Sequence, residues 1–239
     1  MSLRDYSALS FDVYGTLIDW ESGMLAGLRP LTDRLETEMS DDAVLEMHAR
    51  HESGAQAWTP ARRYRDLLAT VYRRCAEELA LVVDWEECAR YGASVPDWPA
   101  FPDSADALAY LKQHYRMIVL SNVDNRSFAG SAERLGIDWD GVFTAEDVGS
   151  YKPAQRNFDY LLERIAAMGL AKGELLHTAE SMFHDHVRAR ANGLDNAWIH
   201  RRHAKEGFGA TMDPGQLAET TFRFDSMAEL ASAHERGDV

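Results

Sequence analysis

The stretch Leu9-Ser10-Phe11-Asp12-Val13-Tyr14-Gly15-Thr16 decides the fold of this chain. Its first six residues are rich in β-formers and predict a short buried strand, which Gly15-Thr16 breaks into a loop. Residues 117–122 have the same character, and 175–179 and 196–200 are two further candidate strands. Amphipathic helical stretches lie between the strands, at 105–114, 158–168 and 186–192. This alternation predicts a doubly wound, Rossmann-like α/β fold with a parallel sheet and helices on both faces.

Residues 20–95 depart from the alternation, because they read as helices throughout. The predicted helices of this segment span 25–38, 42–53, 64–80 and 85–91. Three prolines at positions 96, 99 and 102 mark the return to the sheet. We therefore expect a core domain of residues 1–19 and 96–239, with a helical cap domain of residues 20–95 inserted into it and the active site between the two.

The composition bounds the class of protein. The chain has 239 residues, of which 46% are hydrophobic, and a formal net charge of −14. Such a charge repels nucleic acid and anionic membrane surfaces, so neither is expected as a partner. No apolar run reaches the roughly 18 residues that a membrane span needs. The only two cysteines, Cys75 and Cys88, fall in helical sequence and are assigned no chemistry. These features predict a soluble cytoplasmic protein.

Polar residues follow the predicted strands at the edge where an open α/β sheet binds its ligands. The first strand leads to Asp12, Tyr14 and Thr16, and the second to Ser121 and Asn122. Further along the chain come Lys152 and the run Glu180-Ser181-Met182-Phe183-His184-Asp185. Each has an ordinary structural explanation by itself, as a cap, a turn or a surface charge. Together, in this order, they predict an active site.

Asp12 is the candidate nucleophile. A carboxylate becomes a useful nucleophile when it loses its solvation and the electrophile is held in line within about 3.5 Å. Burial alone would protonate it, so a cation is needed nearby, and Lys152 is the natural candidate. Thr16 and Ser121 would supply hydroxyl hydrogen bonds to the nucleophile and to an anionic group of the substrate. We expect a small anionic substrate.

The motif Phe11-Asp12-Val13-Tyr14-Gly15-Thr16-Leu17 resembles the first motif of the haloacid dehalogenase superfamily. Ser121, Lys152 and Asp185 fall where its second, third and fourth motifs belong, and the resemblance spans residues 8–201. Phosphatases of that superfamily carry an acid at the position of Tyr14, whereas Asp-x-Tyr-Gly-Thr is the pattern of its L-2-haloacid dehalogenases.

The resemblance implies hydrolysis of a small 2-haloacid without a cofactor or metal. Asp12 would attack the carbon that carries the halogen, and water would then cleave the resulting ester. Lys152 would be the electrostatic partner of Asp12, and Asp185 would orient or activate that water. Thr16 completes the implied catalytic set, and the implied substrate contacts are Tyr14, Ser121, Asn122 and Ser181, with Asn122 in the halide cradle.

Three departures from the dehalogenase pattern keep alternatives open. Phe158 stands where those enzymes carry a tyrosine, and Glu180 stands in a motif where they carry a serine. They also place an arginine in the cap to hold the halide, for which Arg50, Arg62, Arg63 and Arg65 are candidates here. Glu180 and Asp185, with Asp12, are spaced to bind Mg²⁺. A Mg²⁺-dependent phosphate or phosphonate hydrolase therefore stays open. A non-catalytic binding protein that kept the fold stays open as well, because resemblance of fold alone does not establish activity. Whether the protein forms a homodimer and whether His184 faces the site are also open.

Overall fold

The computed structural model describes residues 2–238 and contains one six-stranded sheet, in which all neighbouring strands are parallel. The strand order is β3-β2-β1-β4-β5-β6. The strands are β1 (Ala8–Phe11), β2 (Arg116–Ser121), β3 (Gly141–Thr144), β4 (Leu175–Ala179), β5 (Asp195–Ile199) and β6 (Phe222–Phe224). The chain builds the sheet to one side of β1 and then to the other, which confirms the predicted doubly wound α/β fold. The carboxyl ends of β1, β2 and β4 therefore meet at the topological switch point.

Ten α-helices accompany the sheet within residues 2–238. They are α1 (Trp20–Thr32), α2 (Asp41–Trp58), α3 (Tyr64–Glu78), α4 (Trp85–Ala93), α5 (Ser104–Leu111), α6 (Asn125–Leu135), α7 (Ala145–Val148), α8 (Gln155–Ala167), α9 (Val187–Ala191) and α10 (Met227–Arg236). A π-helical turn, Met182–His186, leads directly into α9. None of the helices in this part of the chain is both long and apolar enough to cross a membrane.

Helices α1 to α4 form the segment that was predicted as the cap. Their starts follow from local chemistry: the side chains of Asp19, Ser40 and Asp84 accept hydrogen bonds from the first turns of α1, α2 and α4. Helix α3 buries one face, with Leu68, Tyr72 and Cys75 fully covered, and packs against α2 and α4. That this segment is a separate domain stays a prediction.

Two of the strands and three of the helices were not predicted from the sequence. Strands β3 and β6 have only four and three residues, and each lies at an edge of the sheet. Such short strands carry too little alternation to distinguish them from loops. Helices α6, α7 and α10 were also not predicted. Strand β1 is shorter than expected, because it ends at Phe11 and residues 12–18 fold into a loop around the carbonyl of Val13, which accepts hydrogen bonds from the backbone N–H groups of Leu17 and Ile18.

Candidate active site

The loop after β1 brings the side chains of Asp12 and Thr16 into contact. Gly15 adopts φ +96°, a left-handed conformation that a side chain would strain, and this lets the loop turn back within four residues. The Thr16 hydroxyl donates to Asp12 Oδ2 at 2.7 Å and accepts from the backbone N–H of Glu180 at 2.8 Å. Thr16 thus ties the loops that follow β1 and β4 together and fixes the direction of the Asp12 carboxylate.

Lys152 is held between two carboxylates. Its Nζ lies 2.9 Å from Asp12 Oδ1, 2.8 Å from Asp185 Oδ1 and 2.9 Å from the carbonyl oxygen of Leu120. An ammonium has three protons, so these three contacts use its whole donor capacity. The Asn122 side chain holds the backbone of Lys152 from both sides, because it accepts from the Lys152 N–H at 2.6 Å and donates to the Lys152 carbonyl at 3.1 Å. The predicted lysine does contact the predicted nucleophile.

Sequence reasoning missed His177 in β4. Its Nε2 lies 2.9 Å from Asp185 Oδ1 and its Nδ1 lies 2.8 Å from the Ser10 hydroxyl, and all three side chains are fully buried. Asp185 is thereby positioned from two sides, by His177 and by Lys152. The sequence did contain a signal for this contact, a histidine inside a predicted strand that is otherwise apolar. A polar side chain that is fully buried needs hydrogen-bond partners, so this histidine could have been expected to have them.

Burial and neighbouring charges shift the pKa values of Asp12 and Asp185 in opposite directions. Burial raises the pKa of Asp12 above its ordinary value and the charge of Asp185 adds to this, while Lys152 and Thr16 oppose the shift. Burial also disfavours the ionised form of Asp185, but Lys152 and His177 outweigh it and hold the pKa of that carboxyl well below its usual range. Asp185 therefore stays ionised. Burial disfavours the charged form of Lys152, but the attraction of the two carboxylates outweighs it and raises the pKa of the ammonium, so the lysine keeps its charge.

A small cavity opens onto Asp12 between the sheet edge and the cap helices. Its volume is about 20 Å³, which admits about one water molecule. The residues that line it are Asp12, Tyr14, Trp20, Glu52, Tyr64, Asn122, Val123, Ser181 and His184. A substrate with several heavy atoms does not fit, so α2 and α3 must move away from the sheet edge to admit one.

The predicted substrate contacts take different positions. The Tyr14 ring lines the cavity, but its hydroxyl is 2.7 Å from the Ser131 hydroxyl and 3.3 Å from the Ser127 carbonyl, on α6. Ser121 is buried, and its hydroxyl has no hydrogen-bond partner among the described residues. Ser181 lines the cavity and accepts from the His184 N–H at 3.0 Å. His184 does face the site, and burial lowers its pKa to about 4, so its imidazole is neutral.

None of the four candidate cap arginines lines the cavity at Asp12, so in this structure none of them is placed to hold a halide there. Arg50 pairs with Glu78 at 2.8 Å and Arg63 pairs with Glu146 at 2.9 Å, both near the surface. Neither Arg62 nor Arg65 lines the cavity at Asp12. Arg62 and Arg63 lie in the loop between α2 and α3, whereas the inner face of α2 presents an acid, Glu52, to the cavity.

The three acids of the magnesium alternative do not line a common cavity. Glu180 lines a separate cavity of about 370 Å³, together with Glu21 and Arg202. Burial, with the charges of Glu21, Asp12 and Asp185, raises the pKa of Glu180 to about 8, while the charge of Arg202 opposes the shift. Within residues 2–238 no group of three His, Cys, Asp or Glu side chains is placed to hold a metal ion. The donor set of Asp12, Glu180 and Asp185 therefore does not fit a magnesium ion in this structure.

Comparison of the sequence with models of protein families identifies the family of the fold in which this site lies. The model of the haloacid dehalogenase-like hydrolases matches residues 6–177, which include β1, the cap helices, β2 and Lys152. The chain belongs to this family. Among curated proteins, the HAD-hydrolase YfnB of Bacillus subtilis (strain 168) is 21% identical over 202 residues, which are 82% of this chain and 85% of YfnB.

Solved structures share the fold of this haloacid dehalogenase-like hydrolase at low sequence identity. The L-2-haloacid dehalogenase of Xanthobacter autotrophicus with chloropropionic acid covalently bound superposes with a TM-score of 0.77 at 17% identity, covering 98% of this chain and 100% of that one. The L-2-haloacid dehalogenase PA0810 gives 0.76 at 22% identity, covering 97% and 99%. YfnB bound to magnesium gives 0.73 at 18% identity, covering 96% and 99%.

Proposed function

We propose that this haloacid dehalogenase-like hydrolase cleaves the carbon–halogen bond of a small 2-halocarbonyl compound through a covalent ester on Asp12. The 2-haloacid expected from the sequence is one member of this class, and chloropropionic acid is bound covalently in the Xanthobacter relative. The observation that carries the proposal is the buried Asp12 carboxylate, fixed by Lys152 and Thr16 and turned toward a cavity under the cap. Such a carboxylate is desolvated and oriented, as a nucleophile must be.

The reaction takes place in two steps. An Asp12 oxygen attacks the carbon next to the carbonyl group, a C–O bond forms, and the C–halogen bond breaks as the halide leaves with the bonding pair. Water then adds to the aspartyl carbonyl and gives up a proton, and the bond between that carbonyl and the ester oxygen breaks. The products are a 2-hydroxy compound, a halide ion and a proton, and Asp12 is restored.

The surroundings of Tyr14 favour a leaving group that needs no proton. Burial raises the pKa of the Tyr14 hydroxyl far above neutrality, and that hydroxyl is bonded to α6 instead of pointing toward Asp12. Tyr14 therefore cannot act as the general acid that cleavage of a phosphate ester requires at this position. Halide leaves as a stable anion, so carbon–halogen cleavage suits this site better.

Asp185 supports the second step by orienting the attacking water. Its Oδ1 accepts from Lys152 and His177, whereas its Oδ2, fully buried, has no hydrogen-bond partner among the described residues. That oxygen is free to accept a hydrogen bond from the attacking water. Because its pKa is well below the usual range, Asp185 orients the water and is a weak base.

Halide release from 2-bromopropionate and from its neutral derivatives tests the proposal. We expect release by the wild-type protein that is unchanged by EDTA, and loss of release in Asp12→Asn, which keeps the side-chain volume. Phosphate release from p-nitrophenyl phosphate is measured in parallel, with and without Mg²⁺. Mg²⁺-dependent phosphate release without any halide release would overturn the proposal.

A further inference from the structure

The cap contributes an acid to the cavity that faces the nucleophile. Glu52 on α2 and Tyr64 on α3 line the same cavity as Asp12, and Glu52 is 6% exposed. No lysine or arginine of residues 2–238 lines the cavity. When the cap helices close again over a substrate bound at Asp12, the end of the substrate that extends toward α2 meets the carboxyl group of Glu52.

The Glu52 carboxyl is held in place as a hydrogen-bond acceptor. Its Oε1 accepts from Gln56 Nε2 at 2.8 Å, and the Tyr64 hydroxyl donates to the same carboxyl. His48 Nδ1 lies 3.4 Å from Oε2. Burial raises the pKa of Glu52 to about 7 although the Tyr64 hydrogen bond opposes the shift, so the carboxylate form dominates above that pH. A substrate group beside Glu52 must then offer a proton.

The remaining charges of the site do not compensate an anion. Lys152 donates all three of its protons to Asp12, Asp185 and Leu120, so none is left for a substrate. His184 is neutral, because burial lowers its pKa to about 4. Above the pKa of Glu52, about 7, a substrate carboxylate would lie in a buried cavity lined by the carboxylates of Asp12 and Glu52 and by no lysine or arginine, which is strongly unfavourable. A neutral substrate avoids this cost.

We propose, on the basis of the proposed function above, that the preferred substrate is a neutral 2-haloamide whose amide N–H donates to Glu52. Asp12 displaces the halide from carbon 2, and hydrolysis of the ester releases a 2-hydroxyamide, a halide ion and a proton. Glu52 touches the amide end of the substrate and determines specificity, and it takes no part in bond breaking. An amide fits because it offers two N–H donors and carries no charge.

Halide release from 2-bromopropionamide and from 2-bromopropionate, two substrates of nearly equal size, tests the inference at pH 8. For the wild type we expect a kcat/KM at least tenfold higher for the amide. Glu52→Gln removes the charge and keeps the volume, so we expect it to raise KM for the amide about tenfold or more, with a smaller change in kcat, and to raise kcat/KM for the acid. Glu46→Gln is the matched control, because Glu46 lies exposed on the same helix, and it is expected to change neither value.

The outcomes separate this inference from the function on which it rests. Halide release that favours the acid in the wild type would overturn the inference and leave the proposed function intact. A Glu52→Gln variant that is folded by circular dichroism and loses kcat equally on both substrates would also overturn it, because Glu52 would then act in the chemistry. Absence of halide release from both substrates would refute the proposed function itself, and the inference with it.

Discussion

Replacing Lys152 by methionine removes the positive charge that opposes protonation of Asp12 and keeps an unbranched side chain of similar length. Lys152 Nζ lies 2.9 Å from Asp12 Oδ1, and Lys152 is 1% exposed. At an effective dielectric constant near 20, charges about 4 Å apart attract by about 4 kcal/mol. The loss of an attraction of this size should raise the pKa of Asp12 further above its ordinary value, in the direction in which burial already shifts it. The acid limb of the pH profile should therefore move to clearly higher pH.

The assay is kcat/KM for halide release between pH 4 and pH 10, because this ratio reports ionisations of the free enzyme. If residual activity is too small, a titration of ¹³C-carboxyl aspartate by NMR gives the pKa directly, with Asp12→Asn assigning the signal. Lys112→Met is the matched control: Lys112 pairs with Asp140 at 2.6 Å at the surface, away from the site. An Asp12 pKa that is unchanged in folded Lys152→Met would refute the electrostatic account of the nucleophile.

Three further substitutions test the contacts around the nucleophile. Thr16→Val removes the hydroxyl that donates to Asp12 and should lower kcat at least tenfold with little change in KM, in the halide-release assay. His177→Phe removes a buried donor to Asp185 and should lower the free energy of unfolding by about 1.5–3 kcal/mol in urea titrations. The raised pKa of Glu52, about 7 against 4.5, means that the folded state holds an extra proton between these values, so wild-type stability falls as pH rises through them. Glu52→Gln lacks this titration, and its stability relative to wild type should increase by about 3 kcal/mol between pH 4 and pH 8. A constant difference would contradict the assigned pKa.

The nucleophile and its charged partners could be predicted because their positions follow from strand order. Asp12 follows β1, and Asp185 lies in the π-helical turn after β4, the neighbour of β1 in the sheet. Parallel neighbours bring their carboxyl ends to the same edge, so polar residues there are brought together by the fold itself. Lys152 was predicted from charge: a buried carboxylate requires a cation to stay ionised.

The cap side of the cavity could not be predicted, because it depends on how α2 and α3 dock onto the sheet edge. In the sequence, Glu52 is one of many charged residues on a predicted helix, so nothing distinguishes it. The four arginines nearby are positively charged, as residues that bind an anionic substrate would be. Only tertiary packing turns Glu52 inward and leaves Arg50 and Arg63 paired at the surface. The direction of the Tyr14 hydroxyl likewise depends on α6, a helix that sequence analysis did not predict.

The ester on Asp12 is tested most directly by a single turnover in H₂¹⁸O with the enzyme in excess over 2-bromopropionamide or 2-bromopropionate. Because water attacks the aspartyl carbonyl, the heavy oxygen should appear in the peptide that contains Asp12 and raise its mass by about 2 Da, while the hydroxyl of the product carries the light oxygen of the enzyme. Label in the product alone, with an unchanged mass of that peptide, would show that water attacks the substrate directly and would contradict the mechanism.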